Sequence, residues 1–137
     1  MSGNYGKFSK KSGGYRIEKL PDAGNYEYIY KNDEILVKVD QYGIVTAQIN
    51  PPVGEAVFKR EEREVGSPVK VYFSDGENVF NNFDVLRADK LTIDFLPEKS
   101  TYRLTFGKTE VVTELFATEK DKRFVMNFTV KNLSEKV

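Results

Sequence analysis

The chain lacks both cysteine and histidine. Without a thiol it can form no disulfide, no thiolate nucleophile and no cysteine-based metal site. Without an imidazole, Ser-His-Asp and Cys-His catalysis, histidine acid-base chemistry and the common zinc sites are excluded. An enzyme built on this sequence would have to use a pair of carboxylates or a lysine.

A net charge is also lacking, because 21 lysines and arginines balance 21 aspartates and glutamates. Proteins that bind DNA or RNA through the phosphates normally carry a basic surplus, so we do not expect a nucleic-acid partner. No run reaches the roughly 20 apolar residues that a membrane-spanning helix needs, and no hydrophobic segment follows the N-terminal lysines as in a secretory signal. We therefore expect no membrane partner and a protein that is cytoplasmic at synthesis.

What the sequence does contain is enough apolar material for one globular domain. Its 137 residues are the length of a single domain, and 13% aromatic residues is too high a share for a disordered chain. Residues 1–14 differ in composition, since glycine, serine and lysine dominate there. We predict a flexible basic N-terminal arm over residues 1–14 and a single domain over residues 15–137.

The clearest pattern is an alternation of apolar and polar residues between Asp89 and Lys131. A period of two places one set of side chains on a single face of a β-strand. We predict four consecutive strands here, of which the one near residues 111–116 is the least regular. The apolar positions of the three regular strands are Leu91, Ile93 and Phe95; Tyr102, Leu104 and Phe106; and Phe124, Met126, Phe128 and Val130.

A second series of strands is predicted over residues 26–49, with turns at Asn32-Asp33 and at residues 41–43. The segment Asn50-Pro51-Pro52-Val53-Gly54 interrupts the pattern and is the best candidate for a crossing between sheets. Together the two meanders predict an all-β fold, a β-sandwich of about ten short antiparallel strands. Residues 55–65 are rich in helix formers, so they are either one short helix or a charged edge strand followed by a loop.

The N-terminal arm is the first candidate for a binding element. Its aromatic and basic residues are Tyr5, Lys7, Phe8, Lys10 and Lys11. Such an arm is either a frayed, solvated terminus or a docking element. As a docking element it would lie along a neighbouring subunit, with the aromatic rings in shallow pockets and the lysines against acidic groups.

The second candidate is a stripe of three tyrosines, Tyr26, Tyr28 and Tyr30, which alternate with Glu27 and Ile29. Alternation places the three rings on one face of a strand. That face is either a buried sheet face, an exposed protein interface, or a platform that stacks on sugar rings. Sugar platforms usually also use tryptophan, and this chain has none.

No stretch of the sequence carries a recognisable catalytic or metal-binding motif. Asp40, Asp75, Asp94 and Glu114 fall on the polar faces or turns of predicted strands, where solvated carboxylates normally lie. The glycines near the N-terminus do not join a strand to a helix, as a phosphate-binding loop requires, and no calcium-loop spacing is present. We therefore expect a protein that is not an enzyme and that has no catalytic, cofactor-binding or metal-binding residues.

These observations favour a structural protein that assembles with copies of itself or with other subunits of a larger particle, through its arm and its sheet edges. Small all-β modules with docking arms are common among the capsid decoration, neck and tail proteins of tailed bacteriophages, so fold-level analogy favours a virion component. The alternative is a carbohydrate-binding or adhesion module that uses an exposed tyrosine face. A hydrolase with paired carboxylates is a third reading, which would need two acids facing across a concave pocket.

Overall fold

Strands alone form the regular structure of the residues that a computed structural model describes, which are 6–20, 26–43, 45–49, 56–58, 69–120 and 123–134. Within these ranges no helix occurs, and so none that could span a membrane. The strands are β1 (Gly6–Ser9), β2 (Gly14–Ile17), β3 (Glu27–Lys31), β4 (Ile35–Asp40), β5 (Val45–Ile49), β6 (Ala56–Phe58), β7 (Tyr72–Ser74), β8 (Val79–Asn81), β9 (Lys90–Phe95), β10 (Ser100–Phe106), β11 (Thr109–Ala117) and β12 (Phe124–Asn132).

The strands form three antiparallel sheets. A six-stranded sheet has the order β1-β2-β9-β10-β11-β12, a four-stranded sheet has the order β3-β4-β5-β6, and β7 and β8 form a separate hairpin. The prediction of an all-β, sandwich-like fold built from short antiparallel strands is thereby confirmed. The long-range element is β2, which pairs with β9 and so joins the N-terminal residues to the C-terminal meander.

The C-terminal meander supplies one wall of the core. Tyr102, Leu104 and Phe106 of β10 all point to the inner face and are buried, as the alternation predicts. The strand that looked least regular is β11, whose inner residues Val111 and Leu115 are also buried. The turn between β10 and β11 is short because Gly107 adopts the left-handed backbone that it needs, at a φ of 58°.

The four-stranded sheet supplies the opposite wall. Its first three strands are the meander predicted over residues 26–49, and their inner residues Val37, Val39 and Val45 are buried. Residues 56–58, which lie in the segment predicted as a helix or an edge strand, form the strand β6. The remainder of that segment and the break at residues 50–54 lie outside the described residues.

Two tyrosine hydroxyls bond the sheets to each other. The Tyr102 hydroxyl of β10 donates to the backbone carbonyl of Asp40 at the end of β4. From the other side, the Tyr30 hydroxyl of β3 donates to the Leu96 carbonyl at 2.8 Å and lies 2.7 Å from the Ser100 hydroxyl. Because buried polar groups must be paired, these bonds fix how one sheet sits on the other.

The turn after β4 is fixed by the packing of Gly43 against Phe83. Gly43 has a φ of 71°, and a β-carbon there would collide with the ring of Phe83. Phe83 in turn packs edge-on against Tyr102, with 5.2 Å between the ring centroids. Gly43 therefore supplies both a left-handed backbone and the space that this contact needs.

The hairpin of β7 and β8 covers one end of the core. Its turn contains Gly76, at a φ of 100°, as the Asp-Gly pair predicts. Phe80 stacks on Phe106 of β10 with 4.5 Å between the ring centroids. Asn82, which follows β8, is buried and donates to the Thr113 hydroxyl of β11 at 3.1 Å. The hairpin is thus anchored to the six-stranded sheet by both apolar and polar contacts.

Candidate functional site

The described residues hold no group of histidine, cysteine, aspartate and glutamate side chains that could bind a metal ion. Several carboxylates on the outer face of the six-stranded sheet are engaged in ion pairs. Asp94 accepts two bonds from Arg16 at 2.6 and 2.9 Å, and Glu110 accepts one from Arg103 at 3.0 Å. The pKa of Asp75 is lowered because the backbone N–H groups of Asn78 and Glu77 donate to its carboxylate, which is a turn-closing arrangement.

The six-stranded sheet ends in an unusually long edge strand, β12. It pairs through nine residues with β11, from Phe124 opposite Ala117 to Asn132 opposite Thr109. The Leu133 N–H donates to the Lys108 carbonyl at 2.6 Å, which sets the phase of the ladder. Because hydrogen-bonded and non-hydrogen-bonded pairs alternate, one residue in two turns its backbone N–H and C=O away from β11. The residues whose backbone N–H and C=O groups point away from β11, toward a side that no other described strand occupies, are Phe124, Met126, Phe128, Val130 and Asn132.

The same strand carries an apolar row on its inner face. Residues directly opposite each other share a face of the sheet, and Phe128 and Val130 lie opposite the buried Thr113 and Val111. Yet Phe128 is 49% exposed and Val130 is 46% exposed. We call Met126, Phe128 and Val130 the β12 apolar row. The core face of the sheet therefore continues beyond the part that the described residues cover.

The sequence of β12 carries little of what normally protects such an edge. Exposed edge strands are normally blunted by charges, proline, bulges or short length. β12 has no proline or glycine, its pairing with β11 is free of bulges, and Lys131 is its one charged residue. A long, regular, nearly uncharged edge with exposed apolar side chains is what strand addition requires.

The other edge of the sheet is β1, which lies within the predicted arm. Gly6–Ser9 pairs with β2, and the Gly13 N–H closes the turn by donating to the Ser9 carbonyl at 2.8 Å. Phe8 is 64% exposed, and Lys7, Lys10 and Lys11 are exposed as well. Tyr5 lies outside the described residues. The described part of the predicted arm is therefore an edge hairpin of its own sheet, and docking by the arm stays a prediction.

The tyrosine stripe faces the core. Tyr30 is buried, and burial of its hydroxyl raises its pKa. Tyr26 and Tyr28 are partly buried; Tyr26 stacks on Tyr15 with 4.3 Å between ring centroids, and Tyr28 lies parallel to Phe95 at 6.1 Å. Burial also raises the pKa of Tyr26. A sugar platform needs flat rings in solvent, so of the three readings of the stripe this geometry matches the buried sheet face.

An open groove of about 1200 Å³ lies beside the edge of the four-stranded sheet. Tyr28 and Tyr30 of β3 form one wall, and Phe116 of β11 belongs to the other. Lys99 and Glu114, which also line it, form an ion pair at 2.5 Å. The groove thus combines aromatic side chains with mixed charges; Glu98 and Glu119 line it as well, and the Glu114 carboxylate is paired with Lys99.

No protein-family model matches the chain, and no curated protein sequence is significantly similar to it. The β12 edge is also a feature that the sequence pattern did not single out. Its alternation resembles that of β10, and an edge position depends on the order of strands in the sheet. The signal that could have marked it is the lack of proline, with a single charge, along nine alternating residues.

Proposed function

We propose that this protein is a non-enzymatic assembly module, and that it docks to other protein subunits by accepting an added β-strand at the open edge of β12. The observation that carries the proposal is the combination, on one strand, of backbone groups that face away from β11 and the half-exposed side chains of Phe128 and Val130. Backbone hydrogen bonds supply affinity in strand addition, and alternate side chains supply specificity.

Covering the apolar row would stabilise such a complex. Full burial of a phenylalanine or valine side chain contributes about 1.5–3 kcal/mol, and Phe128 and Val130 have about half of that still to gain. Lys131 is the one charge on the strand, and it lies on the outer face opposite Glu110. An incoming strand therefore meets no charged side chain on the inner face of β12.

A synthetic peptide tests whether the edge accepts a strand. A fluorescently labelled peptide of residues 123–134 is titrated with the protein, and its anisotropy is measured. We expect saturable binding that is weakened at least tenfold, or about 1.4 kcal/mol, by Phe128→Lys in the protein. The matched control is Thr129→Lys, which adds the same charge to the outer face of the same strand and should change the affinity little.

A second control separates backbone pairing from simple hydrophobic adhesion. A peptide that is N-methylated at alternate residues keeps its side chains but loses the donors on one edge, so it should not bind. Equal binding of the methylated and unmethylated peptides, or unchanged binding to the Phe128→Lys protein, would contradict the proposal.

The place of such a module in a bacteriophage particle, as a decoration, neck or tail protein, rests on the fold-level analogy alone. Within the proposal, the basic edge formed by Lys7, Phe8, Lys10 and Lys11 is a second docking element at the opposite end of the same sheet. Removal of residues 1–13 leaves β2 in place and tests that element by itself: the truncated protein should still bind the β12 peptide but bind less well to subunits other than its own copies.

A further inference from the structure

We infer that the strand which β12 accepts is the β12 strand of a second copy, antiparallel and related by a two-fold axis at Phe128. Two six-stranded sheets would then continue into one another across the interface. The inference rests on the proposed docking function and names its partner.

The phase of the backbone groups restricts how two copies can pair. Phe124, Met126, Phe128, Val130 and Asn132 all turn their N–H and C=O groups away from β11. Antiparallel pairing satisfies them only when each lies opposite another member of this set. A slip by one residue would leave these groups unpaired and would move every side chain to the wrong face.

Among the registers that remain, one pairs the whole strand. It places Phe128 opposite Phe128 of the second copy and Met126 opposite Val130, so all nine residues of β12 are used. The two apolar rows become a single patch, with an aromatic pair at the axis. The strand is self-complementary in this register because its inner positions are neutral throughout and its apolar centre meets itself.

Charge supports the same register. It sets Lys131 opposite Val125 of the second copy and Asn127 opposite Thr129, so no like charges face each other. The next register toward the N-terminus would set Lys131 opposite Arg123, and like charges directly opposed are destabilising. Registers displaced toward the C-terminus shorten the paired segment and bury less of the apolar row.

The geometry also disfavours the other edge as the partner. β1 has four residues, against nine in β12. Pairing of β1 with β12 of another copy is a head-to-tail contact that leaves an edge free at both ends, so it would generate open chains of copies. Two-fold pairing of β12 closes after two copies.

Disulfide trapping tests the register, and the chain is suited to it because it contains no cysteine. In the inferred dimer residues 127 and 129 of different copies are directly opposed in a non-hydrogen-bonded pair, within the range that a disulfide spans. We therefore expect an equimolar mixture of Asn127→Cys and Thr129→Cys proteins to form a cross-linked dimer under mild oxidation. Each protein alone should form at least fivefold less cross-linked dimer. The two copies of residue 127, or of residue 129, are not opposite each other in this register but are offset by two residues.

Lys7→Cys, mixed with each of the two variants, is the matched control for pairing through β1. Sedimentation velocity of the wild-type protein should show a concentration-dependent species that stops at the dimer. Cross-links that favour Lys7→Cys, equal cross-linking of the single variants, or open-ended growth would overturn the two-fold pairing. A wild-type protein that stays monomeric while still binding the β12 peptide would overturn this inference and leave the docking function standing. A protein that neither dimerises nor binds the peptide would overturn both the inference and the proposed function.

Discussion

Strands β10 and β12 have the same alternating pattern but opposite surroundings. In β10, Tyr102 and Leu104 are fully buried between the two sheets. In β12, the equivalent inner-face residues Phe128 and Val130 are about half exposed, at 49% and 46%. Alternation determines which side chains share a face of a strand, whereas the order of strands in the sheet determines whether that face is covered.

This difference in burial implies that the inner-face residues of β10 stabilise the monomer, whereas those of β12 are available for docking. A side chain at the centre of the sheet lowers the free energy of the folded monomer, because it is removed from water on folding. Phe128 and Val130 in the β12 apolar row have about half of that contribution left to make, and they make it only when a partner covers them. The predictions below test this division, beginning with the largest effect.

Shortening a central side chain should destabilise the monomer far more than shortening one at the edge. Leu104→Ala should lower the free energy of unfolding by about 2–5 kcal/mol, since it leaves a cavity in a fully packed site. Val130→Ala should lower it by less than about 1 kcal/mol in dilute protein, because that side chain is half exposed. Urea denaturation followed by circular dichroism measures both, and equal losses would refute the division.

Removing a hydroxyl at the centre of the sheet should likewise change the free energy of unfolding more than adding one at the edge. Tyr102→Phe removes the donor to the Asp40 carbonyl and should cost about 1–3 kcal/mol of unfolding free energy. Phe128→Tyr adds a hydroxyl to a half-exposed ring and should change it by less than about 0.5 kcal/mol. Thermal or urea unfolding at low concentration distinguishes the two, and a large effect of Phe128→Tyr on the monomer would count against the exposed row.

The buried hydroxyls should also make the protein sensitive to alkali. Burial raises the pKa values of Tyr30 and Tyr102 above the usual 10.0 by disfavouring the phenolate. Their contribution to stability is therefore complete below about pH 10 and is lost as the pH rises above it, where the unfolded chain ionises first. Tyr30→Phe should make the alkaline loss of stability shallower, and the half-exposed tyrosine of Phe128→Tyr should not alter its slope.

The smallest effects are expected from the outer-face ion pairs. Arg103 lies 3.0 Å from Glu110, with the side chains 49% and 21% exposed. Arg103→Ala should cost no more than about 1 kcal/mol, and high salt should reduce even that difference. A loss comparable to that of Leu104→Ala, by the same urea measurement, would mean that the outer face contributes to stability as the core does.

Local pattern was sufficient for most of the strands. Alternation located β9, β10 and β12, because this signal arises from residues that are close in sequence. Glycines in the left-handed region lie in the tight turns between β7 and β8, at Gly76, and between β10 and β11, at Gly107. The one-sided tyrosine stripe was predicted for the same reason. Whether that side faces the core was left open, since the answer depends on Phe95 and Ser100, far along the chain.

The features that the sequence could not predict all depend on distant pairing. Residues 1–14 have the composition of a flexible arm, yet β2 pairs with β9, and Phe8 lies opposite Tyr15 in the hairpin that this pairing supports. The same arrangement leaves β12 at the far edge of the sheet. A candidate docking edge is therefore a property of sheet order, which composition and periodicity do not encode.

The contact between Gly43 and Phe83 limits which residues can replace Gly43. Any other residue at position 43 must adopt an unfavourable backbone and also displace an aromatic ring of the core. Gly107 also has a left-handed φ, of 58°, but no atoms lie within 4 Å of the position where its β-carbon would be. In a random mutagenesis library selected only for folding, asparagine and aspartate should accumulate at position 107, while position 43 stays glycine. The turn at Gly43 should therefore tolerate substitution less than the other tight turns of the molecule.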